Sequence, residues 1–151
     1  MANKITLETL ENLKEIKQKK DIQVIDVHGN TYDVQLDTFF YESKVEKIAS
    51  DYLELLIELN KMTDVDNDMV RQTFKLIYVM VLREFTDIPI PPKTTITELM
   101  GLSVSLGDSG ITNEVMKSIP NKEFRKIEKK LKEVEKQSSK IMAEVVVKAS
   151  I

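Results

Sequence analysis

The chain has no cysteine, no tryptophan, one histidine, four glycines and four prolines in 151 residues. Without cysteine it can form no disulfide framework, thiolate metal site or cysteine nucleophile, a composition that fits a reducing compartment. The lone histidine, His28, leaves little for acid–base chemistry near neutral pH or for imidazole ligation of a metal. Few glycines and prolines argue against a turn-rich all-β fold and for helices. A transmembrane helix needs about 20 mainly apolar residues. The most apolar stretch here, Leu76 to Leu82, is far shorter and is bracketed by Arg71, Lys75, Arg83 and Glu84. The N-terminal residues contain neither a signal-peptide apolar run nor a lipidation motif. The expectation is a cytoplasmic protein with no membrane contact.

Hydrophobic residues at 42% and charged residues at 31% are ordinary for a globular chain. At this length one domain is expected over residues 1–151, burying roughly two thirds of the surface its unfolded chain exposes. The net charge of −3 is unevenly spread: residues 121–151 carry nine Lys/Arg against five Glu, and the other 120 carry 13 basic against 20 acidic side chains. The basic end is interleaved with acids and lacks interspersed aromatics, so nucleic-acid binding is not expected.

The pattern predicts a mainly α fold: an N-terminal helix within residues 1–20, a small β-hairpin over 22–36, a helical core over 43–119 and a long helix over 121–148. In the first helix Thr6 is the expected cap, Leu7, Leu10, Leu13 and Ile16 form one narrow stripe, and Lys17, Lys19 and Lys20 lie near the end. That stripe suits docking by one edge. Two β-rich runs, Ile22 to Val27 and Thr31 to Leu36, flank His28-Gly29-Asn30, a hairpin signal. With Gly29-Asn30 as the loop, Val27 faces Tyr32, Ile25 faces Val34, and Asp26 sits opposite Asp33. His28 reads as a turn residue.

Ser43 is the expected cap of the next helix, which runs to about Met62 with Val45, Ile48, Ala49, Tyr52, Leu53, Leu56 and Leu59 at helical spacing. Asp64, Asp66 and Asp68 have the start of a calcium-loop spacing. Met69 stands where that loop needs glycine, and Lys75 where it needs a bidentate glutamate, so these aspartates read as cap and dipole complement. Met69 to Phe85 is expected to be the central helix, because its second half is apolar all round and must be covered on every side. Three prolines between Ile88 and Lys93 make an extended connector. Thr95 or Thr97 can start a short helix to about Leu102. The run GLSVSLGDSG, residues 101–110, reads as a flexible loop, and a short helix follows over Thr112 to Ser118.

From Asn121 the positions Phe124, Ile127, Leu131, Val134, Ser138, Ile141 and Val145 alternate by three and four, a heptad seam with one polar member. The seam fits two arrangements: packing across its own domain, or pairing with another chain, including a second copy. Phe39, Phe40 and Tyr41 form an aromatic cluster with the same two readings, a pin to the helical core or an exposed partner patch. No residue set has metal-ligand spacing, and none sits in a recognisable catalytic context, so neither enzyme activity nor a cofactor is expected.

The hairpin with its Gly29-Asn30-Thr31-Tyr32 turn and strand, followed by a helical body that ends in a charged helix, resembles the tail assembly chaperones of long-tailed bacteriophages of Gram-positive hosts. That resemblance implies a host-cytoplasmic, non-virion protein that binds the tape measure protein and keeps it soluble until tail tube subunits assemble around it. It carries no catalytic residues. The partner-binding candidates are then Phe39, Phe40, Tyr41, Phe124, Ile127, Leu131, Val134, Ile141 and Val145. The alternative reading is a small helical regulator or adaptor, phage-encoded and acting on a host factor.

Overall fold

The computed structural model describes residues 2–15, 18–92 and 95–150. Helix α1 (Leu7–Glu15) is capped by Thr6, whose hydroxyl accepts the Thr9 N–H at 3.1 Å. It is shorter than expected: Lys19 and Lys20 already belong to strand β1 (Lys19–Ile25), while Ile16 and Lys17 lie outside the described residues. Its stripe is not docked by an edge. Leu7, Leu10 and Leu13 are 82%, 47% and 53% exposed.

β1 pairs antiparallel with β2 (Thr31–Asp37), in a register that differs from the one the Gly-Asn pair suggests. Ile25 faces Thr31 and Ile22 faces Val34, leaving a five-residue loop over 26–30. The Asp26 carboxylate is the reason. It accepts the His28 and Asn30 backbone N–H groups at 2.8 and 3.0 Å and the Tyr32 hydroxyl at 2.9 Å, so it organises the loop instead of opposing Asp33. Gly29 supplies the positive φ (84°) that the loop requires. The register moves β1's core face from Ile25 and Val27 to Ile22 and Val24, which are buried with Val34 and Leu36.

Helix α2 (Glu42–Lys61) buries Val45, Ile48, Ala49, Tyr52, Leu56 and Leu59 along one face. Tyr41 rather than Ser43 precedes its first turn, and no side chain caps it. The central helix is stepped into α3 (Asn67–Thr73) and α4 (Leu76–Phe85). Asp66 caps α3 by accepting the Met69 N–H at 2.8 Å. The buried Thr73 hydroxyl donates to the Met69 carbonyl, and shorter-range bonds, Lys75 N–H to Gln72 and Tyr78 N–H to Lys75, tighten the step. α4 is covered on nearly every side, with Leu76, Val79, Met80, Val81, Leu82 and Phe85 at most 1% exposed, and only Tyr78 of its apolar run, 40% exposed, departs from the expectation. Its buried Arg83 clasps Asp51 of α2 at 2.6 Å.

The proline connector leaves α4 along β2, where the Asp87 N–H donates to the Gln35 carbonyl and the Asp87 carboxylate accepts the Gln35 N–H. Lys93 lies outside the described residues. The expected loop over 101–110 is instead mostly helix α5 (Ile96–Asp108), capped by Thr95, which accepts the Glu98 N–H at 3.2 Å. Its buried residues Ile96, Leu99, Met100 and Ser103 have helical spacing, and their burial outweighs the cost of Gly101 and Gly107. Gly110, at φ 84°, turns the chain into α6 (Ile111–Ser118), and the Ser109 carbonyl receives the Val27 N–H from the hairpin loop at 2.9 Å.

The C-terminal helix is kinked, not continuous. α7 (Asn121–Glu133) and α8 (Glu135–Ala149) meet at Val134, whose φ and ψ of −103° and 7° leave the helical region. Both halves run beside α2 in the same direction: Lys130 reaches Glu46 near the head of α2, and Glu144 and Lys148 reach Asn60 near its end. One contiguous apolar core joins the inner faces of the hairpin and helices α2 to α8. Among the described residues no helix is long and apolar enough to cross a membrane.

Candidate protein-binding surface

The C-terminal seam lies across its own molecule. Ile127 and Val145 are 1% and 0% exposed, and Phe124, Leu131 and Ile141 are partly buried against the same core. Val134 is half-buried at the kink. The physical reason is length. α2 offers a parallel apolar face of about 30 Å at 1.5 Å per residue, enough to take up most of the seam once the kink turns α8 with it. As partner-binding residues Ile127 and Val145 are therefore corrected: they have no surface to offer.

The aromatic cluster divides. Phe40 is buried and stacks on Phe85, with centroids 3.8 Å apart and planes 3° from parallel. Phe39 remains 42% exposed, meets Tyr41 edge-on at 5.1 Å, and carries the Lys126 ammonium 3.7 Å from its ring centroid. Such a cation on an aromatic face contributes about 0.5–1 kcal/mol at exposed sites. Phe40 thus pins this segment to the core, and Phe39 is left exposed beside it.

Lys126 is held there by a clasp that the sequence reading missed. Its ammonium donates to the Glu123 carboxylate at 2.7 Å and to the Phe40 carbonyl at 3.2 Å. The buried Glu123 also accepts the Phe40 N–H at 2.9 Å. Burial raises the Glu123 pKa, but the bonds from Lys126 and the Phe40 N–H outweigh it and hold the carboxyl below its ordinary value. The signal was present as a Glu-Lys pair three apart in a helix that follows the aromatic cluster by 83 residues, a separation that hides the contact. Phe39, Phe40, Val45, Lys126, Lys129 and Lys130 line a shallow groove of about 340 Å³ together with Glu42 and Glu133. It can take an apolar side chain and place carboxylates against Lys129.

The other chemistry-bearing residues hold structure together. His28 lies exposed in the hairpin loop, Asp66 caps α3, and Asp68 pairs with Arg71 at 3.3 Å. Among the described residues no three His, Cys, Asp or Glu side chains are grouped to hold a metal. In comparison with known proteins, the YomO family model matches residues 7–151. No curated protein and no solved structure matches the chain.

Proposed function

The chain belongs to the phage-associated YomO family, and from that premise we propose that it is a tail assembly chaperone for the tape measure protein. In this reading it performs no covalent chemistry and lends apolar surface to amphipathic helices of its client. The observation that carries the proposal is the exposed Phe39 in a groove that Phe40, Val45 and three lysines also line. A helix docking there would bury an apolar anchor against Phe39 and set an acidic neighbour against Lys129. The resemblance in layout to phage tail chaperones and the phage association of the family agree with such a client.

Co-expression with the tape measure protein of the same genome tests this reading. The client should move into the soluble fraction with the wild-type chain and stay insoluble with Phe39→Asp, a change at an exposed ring that leaves the fold intact. A client equally insoluble with and without the wild-type protein overturns the proposal. Capture of a host factor in place of the client would favour the regulator reading.

A further inference from the structure

The apolar run of the central helix α4 is uncovered at Tyr78, and a polar cleft lies there. The Tyr78 ring is 2° from parallel to that of Phe124, with centroids 6.3 Å apart. The cleft, of about 330 Å³, runs between the α3–α4 step, the end of α5 and the head of α6. Its size falls at the lower end of the roughly 300–1,000 Å³ of small-molecule sites. Val79 and Val104 give it apolar wall beside the ring, and the rest is mostly polar. Two of those polar groups are left unsatisfied by the fold. Ser103 is only 6% exposed, yet its hydroxyl has no hydrogen-bond partner among the described residues. Gln72 also lines the cleft, and its Oε1 is buried and likewise unpartnered. Buried polar groups are almost always paired within a fold, so two at one cleft point to a partner from outside the chain.

We infer that this cleft binds a sugar ring, free or as part of a nucleoside. Charge selects an uncharged ligand. The charged residues of the walls are Lys75 and Asp108, one of each sign, both exposed. The neighbouring charges on α3 and α6 are paired within their own helices, Arg71 with Asp68 at 3.3 Å and Lys117 with Glu114 at 3.8 Å. An anion would meet Asp108 and a cation would meet Lys75, so neither gains from the site as a whole. Hydrogen-bonding sense narrows the class. The Gln72 Oε1 and the Asp108 carboxylate only accept, Lys75 only donates, and the Ser103, Tyr78 and Thr112 hydroxyls do either. A hydroxyl is a neutral group that can answer all of them, because it both donates and accepts. The C–H face of a sugar ring supplies the remaining match, to the exposed ring of Tyr78 and to Val104, which is 39% exposed. This inference does not depend on the tape measure reading, whose groove is built from other residues.

The test titrates the isotope-labelled full-length chain separately with glucose, galactose, ribose and adenosine, followed by NMR. At least one should bind saturably, with a dissociation constant on the order of 1 mM or below, and shift the Ser103 and Thr112 amides. Saturation by a free sugar assigns that source, and saturation by adenosine alone assigns the nucleoside. Ser103→Ala and Gln72→Met should each weaken binding about fivefold, the loss of one hydrogen bond. Neither the Ser103 hydroxyl nor the Gln72 Oε1 has a partner among the described residues, so both substitutions should leave the Tm of the unliganded protein unchanged or raise it. Absence of saturable binding by all four probes overturns the inference. So does affinity indifferent to both substitutions, or binding of free serine, a zwitterion, in place of every sugar. A Tm lowered by both substitutions would mean that the fold itself uses these groups, and that too overturns it.

Discussion

Helices α1 and α4 are of similar length, nine and ten residues, and each presents large aliphatic side chains, yet one is the centre of the molecule and the other stands at its edge. In α4 apolar residues occupy nearly every face, and the other elements close around all of it but Tyr78. In α1 they occupy one stripe backed by Glu8 and Glu11, and a stripe can remain open at modest cost. The comparison predicts a steep gradient in the effect of truncation. Phe85→Ala should lose about 3–5 kcal/mol, because it removes a fully buried ring stacked on Phe40 and leaves a cavity that the surrounding helices cannot close. Urea denaturation would measure it, and a loss below about 1 kcal/mol would remove α4 from the centre of the fold.

The junction between these extremes is the Glu123 clasp, which ties the head of α2 to α7 through a buried carboxylate. Glu123→Ala should destabilise by about 1–3 kcal/mol, since the Phe40 N–H is left buried without an acceptor. Acid tests the same group. Its folded pKa is depressed, so its contribution is fully present above the ordinary value of 4.5 and is lost as pH falls from there through the lower folded value. Glu123→Gln should keep an acceptor for Phe40 while flattening that acid limb, and denaturation midpoints taken across this pH window would show it. An unchanged limb would mean that Glu123 titrates alike in both states.

What could be read before the fold was seen follows from the range of the interactions involved. The spacing of Val45, Ile48, Tyr52, Leu56 and Leu59 fixes the buried face of α2, because i to i+4 neighbours decide it locally. Thr6, Asp66 and Thr95 are caps that act within three residues, and all three are found in place. The hairpin was legible but its register was not. Gly29-Asn30 points to a two-residue loop, whereas the Asp26 carboxylate gathers four donors and enforces a longer one. The glycines of residues 101–110 suggested a loop because propensity is local, while the burial that makes the segment helical comes from elsewhere in the chain. Of the candidate surface, Phe39 was legible and Lys126 was not. Nothing local announces that two residues 87 apart will stack cation on ring.

Asp66→Ala falls lower on the gradient, at about 1 kcal/mol, because it frees one exposed N–H at the start of a seven-residue helix. Calorimetry should register it as a small fall in Tm, and no change would mean that solvent replaces the cap.

The smallest effect is expected where the sequence looks most hydrophobic for its position. Leu10→Ala, in a stripe that faces solvent, should change the stability of a dilute monomer by no more than about 0.5 kcal/mol. Urea denaturation at low micromolar concentration isolates that term, because an associated state would add a concentration-dependent contribution. Repeating the titration at high concentration then sharpens the contrast with α4. A Phe85→Ala deficit should persist unchanged at both concentrations. A Leu10→Ala change should stay within about 0.5 kcal/mol at both. A large concentration-independent loss at Leu10 would mean that α1 is core after all, and the distinction between the two helices would fall.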